Sequence, residues 1–317
     1  MNKLQLIFGI SLISAIVLAV PANAAPKHRV AMVLPGEKTD EAFNQYTYEG
    51  MMRAAKDLGI ETAYKEDVTQ DQQLEVIRQF AQRGYDIIIG QGGQFGEALE
   101  TVAKEYPKAN FVFSVATNTG GVPNVTAATV SYAHAAYIAG VMAGMMTKSN
   151  KVAMLTGEWY DPHKQFLANF EKGAQASGKK VKVSSVATGS WSDVDKAREA
   201  SLALIADGND VLVPLLDAAY VGVLTAAQDS KGVLIVGAVT DCSKVAPTVT
   251  VGSVVFNWNE LGYEEAAGKL LDGKSHVLGM ANNGITVVKN GLLSAAGRAA
   301  VDKAVAGLKS GALGIAP

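Results

Sequence analysis

The sequence has little of several things that mark out whole classes of protein. Its 28 Lys and Arg residues are outnumbered by 30 Asp and Glu residues, which gives a net charge of -2. No basic excess is therefore present to neutralise the phosphates of a nucleic acid. The single cysteine, Cys242, cannot form an internal disulfide. We therefore expect neither a nucleic-acid partner nor a scaffold built on disulfides.

Several signatures of enzymes are also missing. The sequence contains no Gly-x-Ser-x-Gly nucleophile turn and no His-Glu-x-x-His zinc motif. The histidines are scattered without metal-ligand spacing, at His28, His134, His163 and His276. We expect no metal, no cofactor and no enzymatic activity, although residues that are distant in sequence could still pair in space.

The first 24 residues have the layout of a cleaved secretory signal. Lys3 precedes an apolar stretch without charged residues, Leu4 to Val20, and Ala22-Asn23-Ala24 supplies an Ala-x-Ala cleavage site. A transmembrane anchor is the alternative, since about 17 apolar residues barely cross a bilayer. The cleavage site and the lack of a positive stop sequence favour removal. Because no cysteine follows the signal, we predict a soluble periplasmic product without a lipid anchor.

Short apolar runs alternate with helix-length segments along the remaining chain. These runs are rich in β-branched residues and bounded by Gly, Asp or Asn, as is typical of strands buried on both faces of a sheet. They are Arg29–Leu34, Asp86–Gly90, Phe111–Val115, Val152–Leu155, Val181–Val186, Val211–Leu215 and Val233–Val236. The repetition predicts parallel sheets with right-handed crossovers.

The order of these segments predicts two lobes. Lobe 1 would take residues 25–130 plus about 256–288, and lobe 2 would take about 131–255 plus 289–317. A chain that leaves one lobe, builds a second and crosses back forms a hinged pair. The predicted fold class is α/β, with two Rossmann-like lobes joined by a multi-strand hinge.

Ligands of parallel sheets bind beyond the carboxyl ends of the strands. After the first predicted strand come Asp40, Phe43 and Asn44. An aromatic ring beside an amide suits a flat polar ligand, because the ring stacks and the amide hydrogen-bonds an edge. The alternative interpretation is a helix-capping Asp next to a core Phe.

A glycine-rich turn, Gly90–Gly96, follows the second predicted strand. Gly92 in this turn lets the backbone approach a ligand closely. The turn is close to a dinucleotide-binding fingerprint, but Phe95 stands where the third glycine belongs. The next strand also lacks the acidic residue that holds a ribose. We therefore predict a ligand contact at Gly92 and no nucleotide cofactor.

Aromatic and acidic side chains follow the later strands as well: Trp159, Trp191, Asp217 and Asp241. Each of them alone is more often a packing residue or a helix cap. Together they outline a cleft lined by aromatic rings and a few polar groups, which is typical of a small-molecule site.

Several segments resemble the basic membrane protein family of ABC-transporter substrate-binding proteins, typified by bacterial purine nucleoside receptors. In chain order they are Asp40–Gln45 with Glu49-Gly50, Gly84–Ile88, Tyr106-Pro107, Pro123–Val125, Ala139–Gly144 and Gly189–Asp193. The resemblance implies a type I periplasmic binding protein with a three-stranded hinge. It also implies permease subunits as partners and, as is usual for such proteins, a monomer. In the family's nucleoside receptors aromatic residues stack on the base, and Phe43 matches one of them.

The departures from the family pattern concern the ribose. Val115, Val239 and Phe256 stand where many members carry charged residues that resemble ribose-holding ones, and Asp217 stands where a glycine is common. Losing these charges together is physically coherent, because an unpaired buried charge is costly. We therefore predict a ligand without ribose, most simply a purine nucleobase.

In this hypothesis Asp217 or Asp241 accepts a hydrogen bond from a ring N–H, and Asn44 forms hydrogen bonds with an edge of the base. Phe43, together with Trp159 or Trp191, stacks on its faces. The alternatives are an amine or sugar derivative, since a carboxylate beside aromatic rings also suits a cation, and an exported enzyme on a similar fold.

Overall fold

The computed structural model describes residues 28–40 and 42–317. The predicted signal peptide, residues 1–24, lies outside these described residues. The strands are β1 Arg29–Val33, β2 Glu61–Lys65, β3 Ile87–Gln91, β4 Asn110–Ser114, β5 Val125–Val130, β6 Lys151–Thr156, β7 Lys182–Ala187, β8 Val211–Leu215, β9 Leu234–Val239, β10 Thr250–Phe256, β11 Ser275–Leu278 and β12 Ile285–Lys289. The helices are α1 Phe43–Leu58, α2 Gln73–Gln82, α3 Gly96–Glu105, α4 Tyr132–Met146, α5 Asp161–Gln175, α6 Val194–Ala206, α7 Tyr220–Gln228, α8 Trp258–Ala266 and α9 Ala295–Lys309.

The strands form two six-stranded sheets of the same design. The first has the order β2-β1-β3-β4-β5-β11, and the second has the order β7-β6-β8-β9-β10-β12. Neighbouring strands run parallel, except that β12 runs antiparallel to β10. Each position in one sheet therefore has a counterpart in the other, so that β1 corresponds to β6 and β4 to β9. The predicted α/β fold class with two Rossmann-like lobes is confirmed.

The chain passes between the sheets three times: after β5, after β10 and between β11 and β12. These short crossovers are the connections that would let the lobes hinge. Strand β12, Ile285–Lys289, lies in the second sheet, whereas the prediction gave residues up to about 288 to lobe 1. The lobe boundaries themselves stay a prediction.

Helix α4, which follows the first crossover, is buried nearly all round, as its largely apolar sequence predicts. It begins at the cap Ser131, whose hydroxyl accepts a hydrogen bond from the His134 amide at 3.0 Å. Gly140 lets α4 and α5 meet at backbone distance, since a Cβ at this position would lie 2.2 Å from the Phe170 carbonyl oxygen. Among the helices of the described residues, none combines the length and apolar character that a bilayer crossing needs.

Candidate ligand-binding site

Asp40 organises the start of α1 after strand β1. Its carboxylate accepts hydrogen bonds from the backbone amides of Ala42, Asn44 and Gln45, each at 3.0 Å. It also accepts one from the Asn44 side-chain amide at 2.8 Å. A negative charge at the positive end of the helix dipole is favourable. Asp40 therefore acts as the helix cap, as the alternative interpretation of this residue expected.

Asn44 presents an unused hydrogen-bond acceptor. Its side chain is buried, and Nδ2 is committed to Asp40. Its Oδ1 has no hydrogen-bond partner within residues 28–40 and 42–317. An orphaned buried acceptor carries a free-energy penalty, which a ligand donor can remove.

Seven rings form a continuous series, the aromatic row, that links the two lobes: Phe43, Trp258, Phe256, Tyr132, His163, Trp191 and Tyr160. At the end nearest lobe 1, Phe43 packs edge-on against Trp258 with ring centroids 5.2 Å apart. Trp258 packs on Phe256 at 5.5 Å, and Phe256 packs on Tyr132 at 4.9 Å. Phe256, the last residue of β10, therefore belongs to the row.

The other half of the row belongs to lobe 2. His163 lies 5.6 Å from Tyr132 and 4.9 Å from Trp191, and Trp191 is stacked with Tyr160 at 6.4 Å. The Trp191 ring lies directly on the backbone of Gly157, where a Cβ would be 2.4 Å from the ring. Burial lowers the pKa of His163 to about 4, so its ring is neutral at pH 7.

Buried polar atoms of the row are left without partners. Trp258 Nε1 is an unused donor, and His163 Nδ1 has no hydrogen-bond partner among the described residues. Rings with unsatisfied polar edges can hold a flat ligand that offers complementary donors and acceptors.

Trp159 occupies a different place from Trp191. It is half-buried and makes no ring contact with the aromatic row in the described part of the chain. It lines a groove of about 310 Å³ along α5 with Lys164, Leu167, Ala168 and Glu171. Of the two tryptophans named as alternatives, the structure brings Trp191 into the row and not Trp159.

Asp217 follows β8 and reaches the same region. Its half-buried carboxylate makes no hydrogen bond or ion pair with any described residue. Burial, with a smaller contribution from the charge of Asp40, raises the pKa of Asp217 to about 7. The Asp217 charge in turn adds to the effect of burial in raising the pKa of Tyr132. Asp217 thus places an uncommitted carboxyl group near both the aromatic row and Asp40.

Asp241 and Gly92 have structural roles in their turns. The Asp241 carboxylate accepts hydrogen bonds from the Ser243 amide and hydroxyl at 3.1 and 2.7 Å, and from the Ser253 hydroxyl at 3.2 Å. Gly92 has a φ of 121°, a conformation that favours glycine, directly after β3. The ligand contacts predicted for these two residues stay predictions.

Val115 and Val239 share an unusual backbone conformation at equivalent positions, after β4 and at the end of β9. Their φ angles are 65° and 71°, which is a genuine outlier for a β-branched residue. At Val239 the Thr240 amide donates to the Ala238 carbonyl at 2.9 Å, which closes a tight γ-turn. Such strain clusters at functional sites. The sequence patterns give no sign of it.

One stretch matches the phosphate-loop motif in sequence but not in structure. Residues Gly268 to Ser275 read Gly-x-x-x-x-Gly-Lys-Ser. A phosphate loop leads from a strand into a helix, whereas this stretch leads from α8 into β11. Lys274 pairs with Asp272 in this turn at 3.9 Å. The match therefore carries no phosphate-binding geometry. Nor do the described residues include three or more His, Cys, Asp or Glu side chains placed to hold a metal ion.

The family model for Bmp, described as ABC transporter substrate-binding protein PnrA-like, matches residues 27–304. The chain belongs to the Bmp family. This match confirms the resemblance seen in the sequence and makes the protein a member of a substrate-binding class, not an enzyme class.

Relatives of the chain carry different names. The chain is 26% identical over 230 residues to the transcriptional activator protein med of Bacillus subtilis, covering 72% of this chain and 71% of med. It is 29% identical over 194 residues to the nucleoside-binding protein BmpA of Lactococcus lactis, covering 60% and 55%. It is 25% identical over 267 residues to a purine-binding protein of Brucella abortus, covering 83% and 75%.

Solved structures support the fold. A solute-binding protein of an ABC transporter system from Aeropyrum pernix superimposes with a TM-score of 0.79 at 18% identity. The match covers 90% of this chain and 92% of that one. It shows that the chain has the fold of a type I periplasmic binding protein.

Proposed function

We propose that this protein is a periplasmic receptor that captures a purine nucleobase between its lobes and delivers it, as a monomer, to the permease subunits of an ABC importer. The predicted signal peptide supports export, and the Bmp family supports transport. The purine-binding relative from Brucella abortus supports the class of ligand.

The observation that carries the proposal is Asp217, a carboxyl group near the aromatic row that has no partner among the described residues. A purine base is flat, so it can stack on rings such as Phe43 and Trp191. A free base also has a ring N–H at the nitrogen that carries the sugar in a nucleoside. The Asp217 carboxylate would accept this N–H, and Asn44 Oδ1 would accept a second donor from the edge of the base.

The positions that would face a ribose are apolar. Val115, Val239 and Phe256 offer no side-chain hydrogen bond, and sugar hydroxyls buried without partners cost free energy. Asp241, the nearest acid in sequence to Val239, is already bonded to two serines. A receptor built this way would favour the base over its nucleoside.

An amine is the second candidate ligand. Asp217 and Asp40 bring two carboxyl groups together, and the pKa of Asp217 shows no lowering influence from a basic side chain. A cationic ligand would be attracted by these carboxylates and by the faces of the neighbouring rings.

Isothermal titration of residues 25–317 with adenine, guanine, adenosine, guanosine and a quaternary amine tests the proposal. We expect a nucleobase to bind more tightly than its nucleoside, and the Asp217→Asn variant to bind it more weakly. Tighter binding of nucleosides would show that other residues hold the ribose. If the quaternary amine binds and no purine does, the ligand is a cation and the purine assignment is wrong.

A further inference from the structure

Four polar side chains are buried directly beneath the candidate site. Gln91 and Ser114 are the last residues of β3 and β4 and stand opposite each other in the strand register. Glu265 lies on α8 and Thr47 on α1, the helices that cross at Gly262 over this part of the sheet. All four side chains are 0% exposed. We call them the buried quartet.

One arm of the quartet leads to the aromatic row. Gln91 Nε2 donates to the Thr47 hydroxyl at 2.7 Å, and that hydroxyl donates to the Phe43 carbonyl at 3.0 Å. The other arm is incomplete. Gln91 Oε1, the Ser114 hydroxyl and both Glu265 oxygens have no hydrogen-bond partner within the described ranges.

Within the described part of the chain, no charge compensates Glu265. Strands β3, β4 and β5, which lie on the sheet side of α8, contain no titratable residue. Two surface ion pairs involve these helices: Arg53 of α1 with Glu260 of α8 at 2.7 Å, and Glu264 of α8 with Lys269 of the following turn at 3.7 Å.

The remaining titratable groups near Glu265, among the described residues, do not pair with it either. His28 approaches Gly268, beyond the end of α8. The pKa of Glu265 depends on burial and on Ser114, and not on the other titratable residues of α1 and α8: Tyr46, Tyr48, Glu49, Lys56, Asp57 and Tyr263. An ionised carboxylate here would be an unpaired buried charge, which is among the costliest arrangements in a protein.

We propose that Glu265 is a neutral carboxylic acid whose proton completes the buried quartet and ties α8 to the ends of β3 and β4 beneath the ligand site. The Glu265 O–H would donate into the Gln91–Ser114 pair, and its carbonyl oxygen would accept from the pair in return. The Ser114 and Glu265 hydroxyl protons would then serve the two acceptors, Gln91 Oε1 and the Glu265 carbonyl oxygen. Burial raises the pKa of Glu265 to about 8, with the Ser114 hydroxyl acting in the opposite direction.

The proposal has a defined pH signature. The pKa of Glu265 is raised on folding from 4.5 to about 8. Its contribution to stability is therefore complete below about pH 4.5 and is lost as the pH rises through 8. Since Gln imitates the neutral acid in shape and carries no proton to lose, Glu265→Gln should avoid this loss.

Chemical denaturation of the parent, Glu265→Gln and Glu264→Gln between pH 5 and 9 tests the proposal. The ratio of the unfolding constants of parent and Glu265→Gln should rise by about tenfold per pH unit up to pH 8. Glu264→Gln, which changes the adjacent half-exposed residue, should follow the parent. A pH-independent ratio for Glu265→Gln would mean that Glu265 is ionised in the folded protein and would overturn the proposal.

A second measurement needs only the parent protein. In NMR spectra of protein labelled with ¹³C at the glutamate carboxyls, one carboxyl should remain neutral at pH 6 and titrate on the alkaline side of neutrality. Finding every glutamate ionised at pH 6 would equally overturn the proposal. Neither measurement uses a ligand, so both outcomes are independent of the proposed function.

Discussion

Asp217 lies close enough to Asp40 for the negative charge of Asp40 to help raise the pKa of Asp217. The two residues follow strands of different sheets, β8 and β1, so their carboxyl groups approach each other where the lobes face. Asp40 is committed to the cap of α1, whereas Asp217 has no partner among the described residues. A ligand that brings an N–H donor to Asp217 relieves the mutual repulsion, so binding and lobe closure would favour each other.

The first prediction concerns the pH dependence of binding. A ligand N–H needs the ionised form of Asp217, whose pKa in the free protein is about 7. Below pH 7 the ligand must displace a proton, so the Kd for adenine should rise by about tenfold per pH unit between pH 6 and 5. Titration calorimetry at several pH values measures this change. Asp217→Asn should bind more weakly at pH 8 and show no such dependence. Tighter binding at acid pH would instead make Asp217 a hydrogen-bond donor to the ligand.

The second prediction concerns stability without a ligand. Because folding raises the pKa of Asp217 from 3.8 to about 7, its contribution to stability is complete below about pH 4 and is lost as the pH rises through 7. The melting temperature of Asp217→Asn should therefore rise relative to the parent between pH 5 and 8. Asp161→Asn, at an exposed residue that pairs with Lys164, is the matched control and should show no such trend. If both variants follow the parent, Asp217 is ionised throughout this range.

The third prediction separates the two tryptophans. Stacking of a base on an aromatic side chain contributes about 1–3 kcal/mol. Trp191→Leu should therefore weaken adenine binding by about 5- to 150-fold, whereas Trp159→Leu should leave it almost unchanged. Trp191→Phe, which keeps a ring on Gly157, should restore part of the loss. A larger effect at Trp159 would place the ligand against α5 instead of the aromatic row.

Most of the fold follows from short-range patterns in the sequence. The buried strands β1, β3 and β8 stand out because both of their faces are apolar. Strands β2, β5 and β11 did not stand out. Strand β2 is a half-exposed edge strand with a polar sequence, β5 is buried but made largely of Thr and Ala, and β11 has only four residues. Their pairing depends on neighbouring strands that are distant in sequence, which periodicity does not reveal.

The site was harder to predict than the fold. The rule that ligands bind at strand ends led to Phe43, Trp191 and Asp217. It could not separate Trp191 from Trp159, since both follow strands and only their packing differs. Tyr132, His163 and Trp258 were missed as members of the aromatic row because they lie within helices, where an aromatic residue is ordinarily a packing residue.

The fourth prediction tests the close approach of α4 and α5. A Cβ on Gly140 would lie 2.2 Å from the Phe170 carbonyl oxygen, which belongs to the backbone and cannot turn away. Gly140→Ala should lower the free energy of unfolding by about 1–3 kcal/mol, as overpacking does. Gly291→Ala, where a Cβ meets nothing within 4 Å, should change it by less than about 0.5 kcal/mol. Equal effects in denaturant titrations would show that the helices can separate at little cost.

The fifth prediction concerns selectivity between base and nucleoside. Val115 and Val239 hold positive φ angles, which Asp tolerates better than Val does, so Val115→Asp and Val239→Asp should fold without added backbone strain. Each substitution offers a carboxylate to the ribose hydroxyls. The affinity for adenosine relative to adenine should therefore rise by about 10-fold or more, corresponding to a charged hydrogen bond of about 1.5–3 kcal/mol.

The matched controls are Val115→Asn and Val239→Asn, which fit the same backbone conformation without a charge. They should shift the ratio of the two affinities less than the Asp variants do. If neither Asp variant gains affinity for adenosine, these two strand ends do not face the sugar position, and the exclusion of ribose must come from the aromatic row. In that event Phe256, which closes β10 and packs on Tyr132, is the next side chain to shorten, because its ring occupies the third of the three apolar positions.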